Sequence, residues 1–110
     1  MSTLPKVAVI TTTYNDAANL ERVMDQVARQ DYGNLEYIIV DGGSTDGTLE
    51  LIRGMEKRMP GRVWWISEPD GGIYDALNKG IRLASGEIIG CCFDRYADNN
   101  VITRMVQAME

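Results

Sequence analysis

The feature that most limits what this chain can become is an alternation of two hydrophobic periods. Val7–Ile10 and Tyr37–Val40 are short runs, apolar throughout and mostly β-branched, the mark of strands buried on both faces. Between them the apolar residues Leu20, Val23, Met24 and Val27 return at helical spacing behind Asn15 and Asp16. Leu49, Ile52 and Met55 do the same behind Ser44, Thr45 and Asp46. Both polar groups have N-cap chemistry. Farther on, Arg62–Ile66 predicts a third strand, and Ile73, Leu77, Ile81 and Ala84 the inner face of a third helix. That helix starts at Gly72 and closes near Ser85 and Gly86. Glu87–Phe93 predicts a fourth strand, and Val101, Ile102, Met105 and Met109 the inward side of a last helix behind Asp98, Asn99 and Asn100. Four strand–helix units in series predict an α/β fold: a three-layer α/β/α sandwich on a mainly parallel sheet, with crossovers placing helices on both sides.

Length and composition fit one such unit. The 110 residues are expected to form a single domain over 1–110. With 45% hydrophobic and 25% charged residues the chain has the balance of an ordinary folded protein. Its formal net charge is −5, so an electrostatic nucleic-acid binder is excluded as an expectation. Histidine is absent, which removes Ser-His-Asp triads, Cys-His pairs and His-bound zinc. Any acid, base or metal ligand is therefore expected to be a carboxylate. Cys91 and Cys92 are adjacent and on a strand would point to opposite faces, so no disulfide framework is expected. No apolar run approaches the length of a membrane span and no signal-peptide core is present. The expected location is the cytoplasm.

In a parallel α/β sheet, ligands bind beyond the carboxyl ends of the strands. The unusual residue clusters fall there: Thr11–Asp16 after the first strand, Asp41–Gly47 after the second, Ser67–Gly72 after the third and Asp94 after the fourth. One such edge could be turn chemistry; four together predict a polar ligand cleft. Asp41 can accept hydrogen bonds from a base N–H or a sugar hydroxyl, or cap the glycine-rich turn. The first use is preferred because Ser44, Thr45 and Asp46 already supply caps. Tyr14 can stack on a planar base, with Thr12 and Asn15 at polar edges; equally, Tyr14 can be a half-buried aromatic and Asn15 a helix cap. Asp75 and Asn78 share one helix face at i, i+3, opposite much of the apolar stripe, which reads either as solvated surface or, near the strand ends, as a ligand-facing pair. A P-loop and a dinucleotide fingerprint are both missing. A receiver-like signalling domain needs an acidic pair after its first strand, and Thr11–Tyr14 offers none.

Val7–Asn15, Ile38–Thr48, Ser67–Gly80 and Ser85–Gly90, in that order and spacing, resemble the family 2 glycosyltransferases of the GT-A fold. The likeness runs from about Lys6 to Asn100. It implies the Rossmann-like, nucleotide-binding half of that fold, with a nucleotide-sugar donor, typically a UDP- or dTDP-sugar. It also implies inverting transfer to a saccharide or lipid-linked acceptor. By position, Thr12, Tyr14 and Asp41 would contact the nucleoside, Asp41 at the base. Asp70 would lie near the base, Asp75 and Asn78 in the donor-lining segment, and Lys79 would partner a phosphate. Leu77 stands where many relatives carry arginine. The family's Asp-x-Asp element would hold Mg²⁺ or Mn²⁺ against the diphosphate. Here Gly90–Asn100 keeps Asp94 near the expected place, with Arg95 beside it and Asp98 in the next helix cap. Whole family members are longer, their acceptor half and catalytic base following the metal element. The chain is thus expected to be the donor-binding portion, and no catalytic base is named. Homodimer formation and peripheral membrane association of the intact enzyme are the remaining partner expectations. The competing expectation is a non-catalytic nucleotide-binding or assembly module derived from the same family.

Overall fold

Every strand run in the sequence becomes a strand of one parallel sheet. In the computed structural model, which describes residues 5–91 and 100–109, β1 (Val7–Thr13), β2 (Leu35–Asp41), β3 (Val63–Ser67) and β4 (Ile88–Cys91) alternate with α1 (Ala17–Ala28), α2 (Thr48–Arg58), α3 (Ile73–Leu83) and α4 (Val101–Met109). The strand order is β3-β2-β1-β4, and each neighbouring pair is parallel. The mainly parallel sheet expected from the sequence is wholly parallel among the described strands. β1 pairs with β2 from Val7 opposite Leu35 to Thr13 opposite Asp41. Threonine is at home in a strand, so β1 extends three residues past its apolar run.

The sheet's two faces are covered unequally. Val7, Val9, Leu35, Tyr37, Ile39 and Val63 project to one side and pack against α1, α2 and α4 through Leu20, Val23, Val27, Ile52, Met55, Ile102 and Val106. Ala8, Ile10, Ile38 and Val40 project to the other side, where α3 covers them through Ala76, with Leu77 and Ala84 beside it. Burying each large aliphatic side chain contributes about 1.5–3 kcal/mol, so most of the apolar stabilisation lies on the three-helix side.

The register of α3 differs from the expected stripe. Ile73 and Ile81 are about half exposed, and the residues against the sheet are Ala76 and Gly80. Small residues let the helix axis come close: a methyl group on Gly80 would stand 2.6 Å from Ile10 Cγ2. Hydrophobicity alone marks the large residues as inner, whereas the spacing between helix and sheet selects the small ones.

Two buried carboxylates anchor β2 at its ends. Glu36, 3% exposed, accepts hydrogen bonds from Ser85 N, Ser85 Oγ and Gly86 N, fixing the α3–β4 turn beneath the sheet. Asp41 lies at the opposite end. At the start of α4, Gln30 Oε1 accepts the Ile102 N–H at 3.1 Å and Thr103 Oγ1 donates to Asp31. The end of α1 thereby positions α4. The expected fourth strand is observed over Ile88–Cys91; Cys92 and Phe93 of the expected run lie outside the described residues, as do Asp94, Arg95 and Asp98.

Candidate functional site

A cleft of about 420 Å³ opens at the carboxyl end of β1. Thr11, Thr12, Thr13 and Tyr14 form its floor, Asp16, Asn19 and Leu20 its α1 wall, and Asp70, Gly72, Ile73 and Ala76 its α3 wall. The chain runs from β1 through β2 and β3 to one side, and then returns so that β4 lies on the other side of β1. The cleft thus sits where the strand order reverses, the position at which open α/β sheets bind ligands.

Three loops build the rim, and polar side chains stitch them together. The first leaves β1 at Asn15, whose φ of 47° is left-handed, a conformation asparagine tolerates better than most residues. Its backbone N–H donates to Ser44 Oγ at 2.8 Å, and its Oδ1 accepts the Thr45 N–H at 2.8 Å. Asn15 therefore braces the β1–α1 loop against the β2–α2 loop rather than capping α1. Asp46 extends the brace: its Oδ2 accepts the first amide of α1, Ala17 N, at 3.2 Å, while its Oδ1 accepts Thr48 N and Thr48 Oγ1. The Thr48 hydroxyl foremost, with the backbone amides, holds the Asp46 carboxyl below the ordinary aspartate value.

Asp41 is the hub of the second loop. With 0% exposure, its Oδ2 accepts Gly43 N at 3.2 Å, Ser44 N at 2.9 Å and Ser67 Oγ at 2.7 Å, and its Oδ1 accepts Ser44 Oγ. The sequence offers this carboxylate to a ligand or to the turn, with the ligand preferred; its hydrogen bonds in this structure are those of a turn cap, and they also tie β3 to β2. The reason is local: Gly42 and Gly43 allow the chain to fold back over the strand end, delivering two amides to the nearest acceptor.

Close approach at Gly42 brings the aromatic and acidic members of the cleft together. A methyl group there would stand 3.1 Å from Asp70 Oδ2 and 3.2 Å from Tyr14 Cδ1. Tyr14 is 63% exposed. Asp70 Oδ1 accepts the Gly72 N–H at 3.0 Å.

Of the nine residues the sequence singles out, Thr12, Tyr14 and Asp70 line the cleft. Asn15 and Asp41 support it from behind. Asp75 and Lys79 lie on α3, with Lys79 Nζ 3.0 Å from Glu68 Oε1 and 3.5 Å from Asp75 Oδ2. Asn78 is exposed on the same helix and is not a lining residue. Asp94 lies outside the described residues. The sequence reading placed Asp16 in the polar cluster after β1 without singling it out, and missed Asn19 in the cleft; the signal is the i, i+3 spacing of the two at the helix boundary. It also missed Ser67 as the donor joining the second and third loops. Among the described residues no group of three or more His, Cys, Asp or Glu side chains could hold a metal ion, and no helix is long and apolar enough to cross a membrane.

The arrangement, an exposed aromatic face, hydroxyls and one carboxylate at a sheet's switch point, suits a planar heterocycle bearing polar edges. The sequence pattern described as Glycosyl transferase family 2 matches residues 8–110. A glycosyltransferase of Mycobacterium tuberculosis is 41% identical over 112 residues, covering 99% of this chain and 42% of its own length. A PGL/p-HBAD biosynthesis glycosyltransferase of Mycobacterium bovis is 40% identical over 82 residues, 74% of this chain and 32% of that protein. The mannosyltransferase PcManGT from Pyrobaculum calidifontis, solved in complex with GDP-Man and Mn²⁺, superposes with a TM-score of 0.81 at 31% identity, over 98% of this chain and 32% of that one. TarS 1–349 from S. aureus, in complex with UDP, also gives 0.81, over 93% of this chain and 31% of that one; at 24% identity it bears on the fold alone. These neighbours have the GT-A, Rossmann-like fold. The chain spans less than half the length of these relatives. With its motifs in register on a fold of this kind and the family pattern covering nearly all of its length, the chain belongs to glycosyl transferase family 2.

Proposed function

We propose that residues 1–110 supply the donor-binding portion of a glycosyltransferase whose donor is a UDP- or dTDP-sugar and whose acceptor is a saccharide or lipid-linked hydroxyl. The observation that carries this reading is the placement of Tyr14, exposed, beside Asp70 and above Gly42 in the cleft at the end of β1. The base would lie on the Tyr14 ring, its polar edge toward Thr12 and Asp70. Asp41 would act from beneath, by holding the loop against which base and ring pack. In the intact enzyme the acceptor hydroxyl loses its proton to a carboxylate base as its oxygen bonds to the anomeric carbon. The bond from that carbon to the diphosphate oxygen breaks on the opposite face, giving inversion. A divalent cation would be held at Asp94, which is outside the described residues, and would offset charge on the departing diphosphate.

Titration of UDP, dTDP and GDP into the protein, followed by backbone amide NMR with and without Mn²⁺, tests the proposal. The expected result is saturable perturbation at Thr12, Tyr14, Asp70 and Ile73, stronger for the pyrimidine nucleotides. No saturable change with any of the three at millimolar concentration would overturn it.

A further inference from the structure

Resemblance assigns Lys79 to a ligand phosphate; its surroundings assign it elsewhere. An ammonium group has three N–H donors and no more. Around Lys79 Nζ stand Glu68 Oε1 at 3.0 Å, the Pro69 carbonyl at 3.1 Å and Asp75 Oδ2 at 3.5 Å, and the side chain is only 15% exposed. The three donors are matched by three acceptors, none from a ligand. The Asp75 oxygen that faces Lys79 also accepts the Gly71 N–H at 2.9 Å. Glu68, Pro69 and Gly71 are thus each tied to one of two α3 side chains four residues apart. Asp70 lies within the tethered stretch. With its Oδ1 held by Gly72 N, its Oδ2 sits against Gly42 at the cleft.

We propose that Lys79 is a positioning residue: with Asp75 it clamps the Glu68–Gly72 loop onto α3, sets the place of the Asp70 carboxylate in the cleft, and thereby governs recognition of the nucleoside rather than of the diphosphate. The second half of this proposal rests on the donor-site reading above. The charge pattern agrees with the clamp. The hydrogen bond from Glu68 foremost raises the Lys79 pKa above its ordinary value, and the Gly71 amide foremost lowers that of Asp75. Each partner is held in its charged form.

The experiment compares the protein with its Lys79→Met, Lys79→Arg and Asp75→Asn variants, using UDP and uridine as probes by NMR titration. Loss of the clamp is expected to weaken UDP and uridine by the same factor, about three- to ten-fold, in Lys79→Met, and by less in Asp75→Asn. Lys79→Arg, which keeps a cation within reach of the same acceptors, is expected to restore most of the affinity. Weakening of UDP with uridine unchanged would mean a phosphate contact and would overturn the proposal. Hydrogen exchange at the Gly71 and Gly72 amides reads the clamp without any ligand. It should quicken in Lys79→Met, and unchanged exchange rejects the clamp itself. If the unmutated protein binds neither probe, the donor-site reading and the recognition role fall together, and exchange still decides the clamp. Should Lys79→Met not fold, Asp75→Asn, which removes one side of the clamp, gives the comparison, with Lys79→Arg as the variant that keeps it.

Discussion

Two residues at neighbouring strand ends differ sharply in exposure, and under the proposed function that difference separates support of the site from recognition. Asp41 has no exposure and satisfies four donors; Tyr14 is 63% exposed. Replacing Asp41 by Asn puts an amide N–H₂ among donors and removes the charge that strengthens those bonds. A loss of about 2–3 kcal/mol in urea unfolding is expected. Tyr14→Ala removes little that is buried, so stability should stay within about 0.5 kcal/mol. Loss of base stacking, worth about 1–3 kcal/mol, should weaken UDP binding five-fold or more. The opposite pattern, a destabilised Tyr14 variant that binds UDP normally, would remove Tyr14 from the site. At this scale residue type was legible: the sequence marks Thr12, Tyr14, Asp41 and Asp70 as polar or aromatic groups at strand ends. Their roles were not, because a carboxylate next to two glycines can turn inward or outward, and only the loop's path decides.

Among the elements, α3 carries the most consequence for the site. Its first turn supplies Gly72, Ile73 and Ala76 to the cleft, and its second turn carries the Lys79 clamp. Its depth on the sheet is set by Ala76 and Gly80. A Gly80→Ala substitution separates two effects of opposite sign. Helix propensity favours alanine by about 1 kcal/mol. A methyl group 2.6 Å from the fully buried Ile10 Cγ2 forces the helix or the strand to move, at about 1–3 kcal/mol. Net destabilisation is the expected outcome by urea midpoint, with weaker UDP binding because the cleft wall moves too. A raised midpoint would show that helix and sheet part without cost. The strands and helices themselves were legible because buried runs and amphipathic spacing are local signals. The inner face of α3 was not, since Ile73 and Ile81 satisfy the same periodicity that Ala76 and Gly80 win on distance.

Across the whole molecule, electrostatics join loops and helices at separate places. Arg58 foremost, through its hydrogen bond, lowers the Asp25 pKa, tying α2 to α1. Thr48 does so for Asp46 at the loops, and Gly71 N for Asp75 at the clamp. A carboxyl whose folded pKa lies below its unfolded value of about 3.8 stabilises the fold fully above that value. The contribution fades as pH falls from 3.8 through the folded pKa. Lys79, raised above 10.5, contributes fully below that value and loses it as pH rises through the folded pKa. Urea midpoints at constant ionic strength should therefore be insensitive to these four groups from about pH 5 to 9 and should fall at both extremes. The acid limb should be shallower in Asp46→Asn. An acid limb unchanged by that substitution would exclude Asp46 as a contributor. The unequal covering of the sheet belongs to this scale as well: among the described residues three helices bury one face, while α3 covers the other and Trp64 and Ile89 stay about half exposed there.

The sequence by itself determined the order of elements, the parallel sheet and the family, and it pointed to the edge of the sheet at which a ligand site is expected. The elements and the sheet follow from signals carried within a dozen residues, buried runs, helical spacing and glycine turns, and the family from four motifs in order between about Lys6 and Asn100. Tertiary structure decided what those residues do once there. It alone folded Asp41 into its own turn, set Asn15 and Asp46 as braces between loops 29 residues apart, and saturated Lys79. It also chose small residues over large ones as the inner face of α3. The physical reason is common to all four: a hydrogen bond or a close contact depends on distances between segments remote in the chain, and hydrophobic periodicity carries no information about those.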